Sequence, residues 1–231
     1  MTAYETLQEK YGAQIVFRPF FRVEPLSSRE FRDQKINFPD YTAIVFSSRH
    51  AIDAYFKLAE EMRFKVPETM KYFCTTELVA MYLQKHIVYR KRKIFYGNGT
   101  PASVVALIGP KHRAEKFLVT KSAGASAEAL TSLLSAAGLE YAEAELVKSV
   151  TQDLHDLKPS GFNIIALYNP ADVKSLFENF PDFKQGSVKF AGWGRSIVPA
   201  MKDAGLEINI QGPTPEAPSV AKAIELYLEQ K

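Results

Sequence analysis

The sequence predicts an α/β fold of two similar parallel-sheet domains, one inserted into the other and joined by a two-stranded linker, with a cleft between. Three observations carry that expectation. First, residues 44–56 (Ile-Val-Phe-Ser-Ser-Arg-His-Ala-Ile-Asp-Ala-Tyr-Phe) read as an apolar strand, a short polar turn and a helix with apolar residues at three- and four-residue spacing. Second, that unit returns at residues 164–177. Two more units also return, 72–83 as 190–201 and 97–108 as 212–224. Third, the offset is about 120 residues, whereas solenoid repeats run to about 50, so a whole domain is duplicated. Two similar α/β domains leave a cleft, and clefts are where ligands bind.

In chain order, residues 4–11 read as a helix that Gly12 closes, and residues 14–17 (Gln-Ile-Val-Phe) as a strand. The strand-turn-helix units of the first copy then run from 44 to 108. Residues 116–121 form a strand, 126–137 a helix of good formers closed by Gly138, and 139–150 an extended stretch. The second copy of the units follows from 164. By comparison with 116–150, the first helix lacks a strand before it, which predicts an upstream strand behind a misplaced start codon or a reduced sheet. The economical threading makes residues 1–17 plus 152–231 the first domain. Residues 18–26 and 144–151 are then linker strands around an inserted domain, 27–143. Pro19, Pro25 and Pro159 sit where connectors are rigid.

Composition excludes several classes. Of 231 residues, 46% are hydrophobic and 12% aromatic, which is a folded composition rather than a disordered one. No apolar run approaches the roughly 18 residues of a membrane helix, and residues 1–10 have no signal-peptide core. A single cysteine, Cys74, excludes an internal disulfide and suits the cytoplasm. Four histidines with one cysteine give no metal-ligand spacing, so no metal is expected. Net charge is +3, too mild to argue for nucleic acid, and nothing demands more than a monomer. The one basic cluster, Arg90 to Lys93, reads as a charge-guarded strand edge.

In open parallel sheets, ligands sit beyond the carboxyl ends of the strands, where helix N-termini favour anions. The candidate substrate-binding residues are therefore those of the turns: Ser47, Ser48 and Arg49; Thr75 and Thr76; Lys121 and Ser122; Asn169; and Gly192, Gly194, Arg195 and Ser196. The turns at Gly97–Thr100 and Gly212–Thr214 share their chemistry. Hydroxyls, glycines and single cations suit a polyanionic ligand. No turn offers a Ser-His-Asp set, paired carboxylates or a Walker lysine, so no catalytic residue is assigned. Ser47 and Ser48 also read as helix caps. Gly192-Trp-Gly194 lacks the third glycine of a dinucleotide loop, and Trp193 is expected to pack against the neighbouring domain. Cys74 reads as a small core residue, and His50 has only Asp53 nearby to orient it.

The order and spacing of these units resemble the uroporphyrinogen-III synthase family across nearly the whole chain, in a divergent, Bacteroidetes-type form. The segments that carry the resemblance are Ala43-Ile-Val-Phe-Ser-Ser48, Gly138-Leu-Glu-Tyr141 with the strand after it, and Ala204-Gly-Leu-Glu-Ile208 through Pro213-Thr-Pro-Glu216. The resemblance implies a cytoplasmic lyase of tetrapyrrole (heme) biosynthesis that needs no cofactor. Its substrate would be the anionic linear tetrapyrrole hydroxymethylbilane, cyclised to uroporphyrinogen III with the last ring inverted. By position, Ser47, Ser48, Thr75 and Thr76 would bind substrate carboxylates. The chain departs from the family at Val147, where a linker tyrosine is usual, at Tyr168-Asn169-Pro170, and at Gly192 to Ile197. A second reading therefore stands beside the first: a relative that keeps the bilobed scaffold as a binding or interaction protein.

Overall fold

The computed structural model describes residues 3–230. Met1, Thr2 and Lys231, which the sequence assigns to the first domain, lie outside the described residues. The chain divides into a central unit, residues 23–149, and a terminal unit that joins residues up to 22 with those from 150 onward. It opens with α1 (Ala3–Tyr11) and β1 (Phe21–Pro25). The central unit then runs α2 (Ser28–Asp33), β2 (Ala43–Phe46), α3 (Arg49–Glu61), β3 (Lys71–Cys74), α4 (Glu77–Tyr82), β4 (Ile94–Tyr96), α5 (Pro101–Ile108), β5 (Phe117–Ser122), α6 (Glu128–Ala136) and β6 (Tyr141–Thr151). The terminal unit closes with β7 (Ile164–Leu167), α7 (Pro170–Asn179), β8 (Lys189–Trp193), α8 (Ile197–Asp203), β9 (Ile208–Gly212) and α9 (Val220–Glu229).

The larger sheet has the order β1-β6-β5-β2-β3-β4, and from β6 to β4 every pair is parallel. β2 lies in its middle, and all four of its residues are buried. The side-chain period of two splits them: Ile44 and Phe46 join one cluster with Tyr55 and Leu58 of α3, while Ala43 and Val45 join another with Val104 of α5 and Leu134 of α6. A parallel sheet covered on both faces explains why its strands read as unbroken apolar runs.

α3 begins where Ser48 caps it, accepting from the Ala51 N–H at 3.1 Å. Ile52, Tyr55 and Leu58 then recur on one face and are fully buried. Each large side chain so buried stabilises the fold by roughly 1.5–3 kcal/mol. α6 ends as its sequence requires: Gly138 takes a left-handed φ of 67°, and the next N–H, on Leu139, reaches back to Leu134 O at 3.0 Å. β6 carries the extended stretch expected at 139–150. It pairs with β1, and Leu26 N–H donates to Leu146 O while Gln152 N–H donates to Phe20 O, both at 2.9 Å. Residue numbers that rise on one strand as they fall on the other make this pair antiparallel.

The smaller sheet has three parallel strands among the described residues, ordered β7-β8-β9. Phe190 and Leu167 pack one face against α7 and α8, and Ala191 and Ile210 pack the other against Ala223 of α9. α1 is held to α9 by a Lys10–Glu229 ion pair at 2.6 Å. The strand expected at 14–17 does not form; residues 12–20 have no regular structure, and Val16 and Phe17 are exposed. The reason lies in the sheet. In the central unit the corresponding segment, β6, bonds to β5, which in turn bonds to β2. β7, the counterpart of β2, has a described strand only on its β8 side, so residues 14–17 have no ladder to join.

Candidate functional site

Three turns of the central unit come together because their strands are neighbours. β2, β3 and β4 are adjacent and in register, with Phe46, Cys74 and Tyr96 side by side at the carboxyl ends. The ladder continues past them: Thr75 N–H donates to Phe46 O and Gly97 N–H to Cys74 O, each at 3.0 Å. Neighbouring strands lie about 4.8 Å apart, so Ser47-Ser48-Arg49, Thr75-Thr76 and Gly97-Asn-Gly-Thr100 line one edge of the sheet as a continuous band.

Each turn of this band leads into a helix capped by its own hydroxyl. Ser48 Oγ accepts from Ala51 N–H at 3.1 Å, Thr76 Oγ1 from Val79 N–H at 3.4 Å, and Thr100 Oγ1 from Ser103 N–H at 3.3 Å. A hydroxyl that accepts in this way keeps its own O–H for another acceptor. Of the two serines read as caps, Ser48 takes that place, and capping and binding thus stop being alternatives for it. Ser47 and Arg49 are exposed. The Arg49 guanidinium lies 5.7 Å from the centre of the Tyr82 ring and has no ion pair among the described residues. No described carboxylate accepts from a backbone N–H of these three turns. Glu77, the nearest acid in sequence, instead accepts from Tyr96 OH at 3.2 Å.

The remaining candidates stand differently. Near the end of β5, Lys121 is paired with Glu143 at 2.7 Å, and in the turn beyond it the Glu145 carboxylate accepts from Gly124 N–H at 3.0 Å. After β7, the Asn169 side chain accepts from Ala171 N–H at 2.9 Å, while Asp172 accepts from the N–H groups of Tyr168 and Asn169 at 2.8 and 2.9 Å. Both turns therefore hold an anion already, and it belongs to the protein. Ser122, the last residue of β5, stands at a shift in register against β6.

Within β8, Gly192 is buried where a Cβ would meet Met201 Sδ at 3.1 Å, which makes it a packing glycine. Gly194 has a left-handed φ of 95° and donates its N–H to Gly212 O at 2.7 Å. Arg195 and Ser196 are exposed, and Ser196 makes no side-chain cap bond. The Trp193 ring lies on Gly212 of its own unit, so close that a Cβ there would sit 2.1 Å from Cζ3. The sequence offered no sign of this, because the two residues meet only through the β8–β9 pairing.

The groups with chemical potential outside the turns are also placed. Cys74 is buried, and burial pushes its thiol up to about 12, which leaves it protonated and inert. Asp53 faces Tyr82, Lys85 and His86 rather than His50. Val147, where the resemblance led to the expectation of a tyrosine, is 2% exposed and packs in the core. Lys148 beside it is tied to Glu30 at 2.6 Å. Among the described residues no group of three or more His, Cys, Asp or Glu could hold a metal ion, and no helix is long and apolar enough to cross a membrane.

The partners that sequence reasoning missed are Tyr82, Glu143, Glu145 and Asp172. Of these only Asp172 had a local signal, since Asn169-Pro-Ala-Asp172 places an acid three residues after a capping side chain.

Comparison with known proteins follows the same line. A family model described as Uroporphyrinogen-III synthase HemD matches residues 2–222. No curated protein matches the chain. A mutant uroporphyrinogen III synthase from the extremely thermophilic bacterium Thermus thermophilus superposes with a TM-score of 0.57 at 16% identity, covering 100% of this chain and 95% of the other. The uroporphyrinogen-III synthetase of Helicobacter pylori does so with 0.58 at 15%, covering 92% and 91%. At such identities the likeness is one of fold.

Proposed function

The chain belongs to the uroporphyrinogen-III synthase family, and from that membership we propose that it cyclises hydroxymethylbilane to uroporphyrinogen III as a monomeric cytoplasmic lyase. The net change is loss of one water. The hydroxymethyl oxygen leaves with a proton to give an azafulvene, the substituted carbon of the last ring attacks it, and the resulting spiro intermediate fragments and recloses with that ring inverted. The substrate carries eight carboxylates, so the protein's first task is to hold anions in one arrangement.

The observation that carries the reading is the band of three adjacent turns after β2, β3 and β4. It is rich in hydroxyls, has no backbone N–H taken by a described carboxylate, and bears Arg49, which has no ion pair among the described residues. Arg49 offers its guanidinium fork to one substrate carboxylate. Ser47, Ser48, Thr75 and Thr76 offer hydroxyl protons to others. We assign the turns after β5 and β7 a lesser part, since Glu145 and Asp172 already occupy their amides. No side chain of the band is poised as a strong acid or base. Catalysis on this reading is largely conformational: holding the ends of the chain so that the inverted closure outruns the spontaneous one.

One observation favours the second reading, a relative that binds without turnover. Val147 is buried in the core, and Lys148 is neutralised by Glu30, so neither residue offers a free donor at the place of the linker tyrosine. The test separates the two. Hydroxymethylbilane is generated in place and the isomers of uroporphyrinogen are resolved by chromatography. Type III above the enzyme-free blank is the expected result; type I alone, from folded protein, assigns the chain to the binding class.

A further inference from the structure

Asp53 lies one helical turn after Arg49 on α3, the spacing at which an acid and a base normally pair. They do not pair here. Asp53 is already filled from another element: Oδ2 accepts from Tyr82 OH at 2.7 Å, and Oδ1 faces Lys85 Nζ at 3.0 Å and His86 Nε2 at 2.7 Å. The His86 ring is itself fixed, stacked on Phe56 with centroids 4.6 Å apart and planes within 6°. Lys85 Nζ also donates to Tyr82 OH at 3.0 Å, so the phenol is held from two sides. Arg49 is left over the Tyr82 ring at 5.7 Å.

That arrangement has a physical consequence for Arg49. A carboxylate partner would neutralise the guanidinium and occupy its fork, whereas an aromatic face attracts the cation while leaving the in-plane N–H donors open. The charge of Asp53, the acid within reach along the helix, is compensated by Lys85 and spent on the Tyr82 phenol. The cluster thus orients a cation at the β2 turn without consuming it.

We propose that Asp53 and Tyr82 are positioning residues for Arg49: Asp53 fixes the Tyr82 ring, the ring holds the guanidinium, and this sets how tightly the β2 turn takes a carboxylate of the ligand. The inference rests on the reading that the β2–β4 turns hold substrate carboxylates. It names residues that neither the turn chemistry nor the resemblance singled out.

The test is a double-mutant cycle read by binding of uroporphyrin III, a stable octacarboxylate, to the full chain by fluorescence titration. Arg49→Ala weakens binding about 10-fold or more, as loss of a charged hydrogen bond does. Tyr82→Phe, which keeps the ring and removes only the hydroxyl, acts on the ligand indirectly and weakens binding less, about 3-fold to 10-fold in the native background. Asp53→Ala does the same. In the Arg49→Ala background neither substitution has a further effect beyond about twofold, because residues that act through one another are not additive. Equal losses in both backgrounds, or unchanged affinity in Tyr82→Phe with its fold intact by circular dichroism, overturn the proposal. So does a native protein that does not bind uroporphyrin III. The isomer assay is read separately: type I alone sinks the synthase reading, while the binding cycle still judges the Asp53–Tyr82–Arg49 relation.

Discussion

The Asp172 carboxylate folds back onto the backbone N–H of Asn169 at 2.9 Å and fills the α7 N-terminus with the protein's own negative charge. The equivalent place in the other copy, the start of α3, has Ser48 and Arg49 instead. Duplicated units have thus diverged at the atoms that matter for an anion: one turn is self-occupied, the other open.

That difference has a pH signature. Burial holds the Asp172 carboxyl above the usual carboxylate range, even though the Tyr168 and Asn169 N–H groups pull it down. A carboxyl whose folded pKa is raised binds its proton more tightly in the native state. Its stabilising contribution is complete below the unfolded value and is lost as pH rises through the folded one. Asp172→Asn removes this slope. The Asp172 contribution opposes the acid weakening described below, so the fall in urea midpoint from about pH 7 to about pH 3.5 should be larger in the variant than in native protein, with uroporphyrin III affinity not reduced. A fall in affinity would assign Asp172 a part in binding.

Asp53 acts with the opposite sign. Burial alone would raise it, but hydrogen bonds from Tyr82, His86 and Lys85 outweigh that and hold it at about 2. Glu30 is likewise held at about 2 by Lys148 and Ser27. Such groups stabilise above their unfolded values and lose that contribution as pH falls toward about 2. Native protein should therefore weaken between about pH 4.5 and about pH 2, and Asp53→Asn should flatten part of that fall. An acid-unfolding profile identical to the native one contradicts the assignment.

Gly212→Ala should be costly for a reason outside the backbone. Its Cβ would fall 2.1 Å from Cζ3 and 2.6 Å from Cε3 of Trp193. Overpacking of this kind costs about 1–3 kcal/mol. Trp193 is the single tryptophan of the chain, so its fluorescence reports the displacement directly. A variant with native stability and an unshifted emission spectrum would show that the ring does not lie there.

Tyr55→Phe runs the other way. The side chain is fully buried among Phe38, Phe46 and Phe56, and its hydroxyl has no hydrogen-bond partner among the described residues. Burying an unpaired hydroxyl costs on the order of 1–3 kcal/mol, so the variant should melt at the same temperature or a few degrees higher. A melting point lower by several degrees would mean that the hydroxyl is satisfied after all.

Much of this was legible because it is local. Ser48 as a cap, Gly138 as a left-handed stop and the two faces of β2 follow from neighbours in sequence. What was not legible depends on distant partners. The strand expected at 14–17 had the right residues but no ladder beside it. Trp193 found Gly212 through a strand pairing. Glu145 reached the β5 turn from 21 residues away, and Tyr82 reached Asp53 from 29. The candidate turns were visible from the strand-turn-helix pattern; that Glu145 already fills the β5 turn was not, and only Asp172, three residues after Asn169, left a local sign of an internal acid.

The most direct measurement compares native protein with Arg49→Ala in the isomer assay under identical hydroxymethylbilane supply. Native protein should yield type III above the blank, and Arg49→Ala should require about 10-fold more substrate for the same rate, as loss of a charged contact does. Type III formed equally well by both would place the substrate away from the β2 turn and contradict the account.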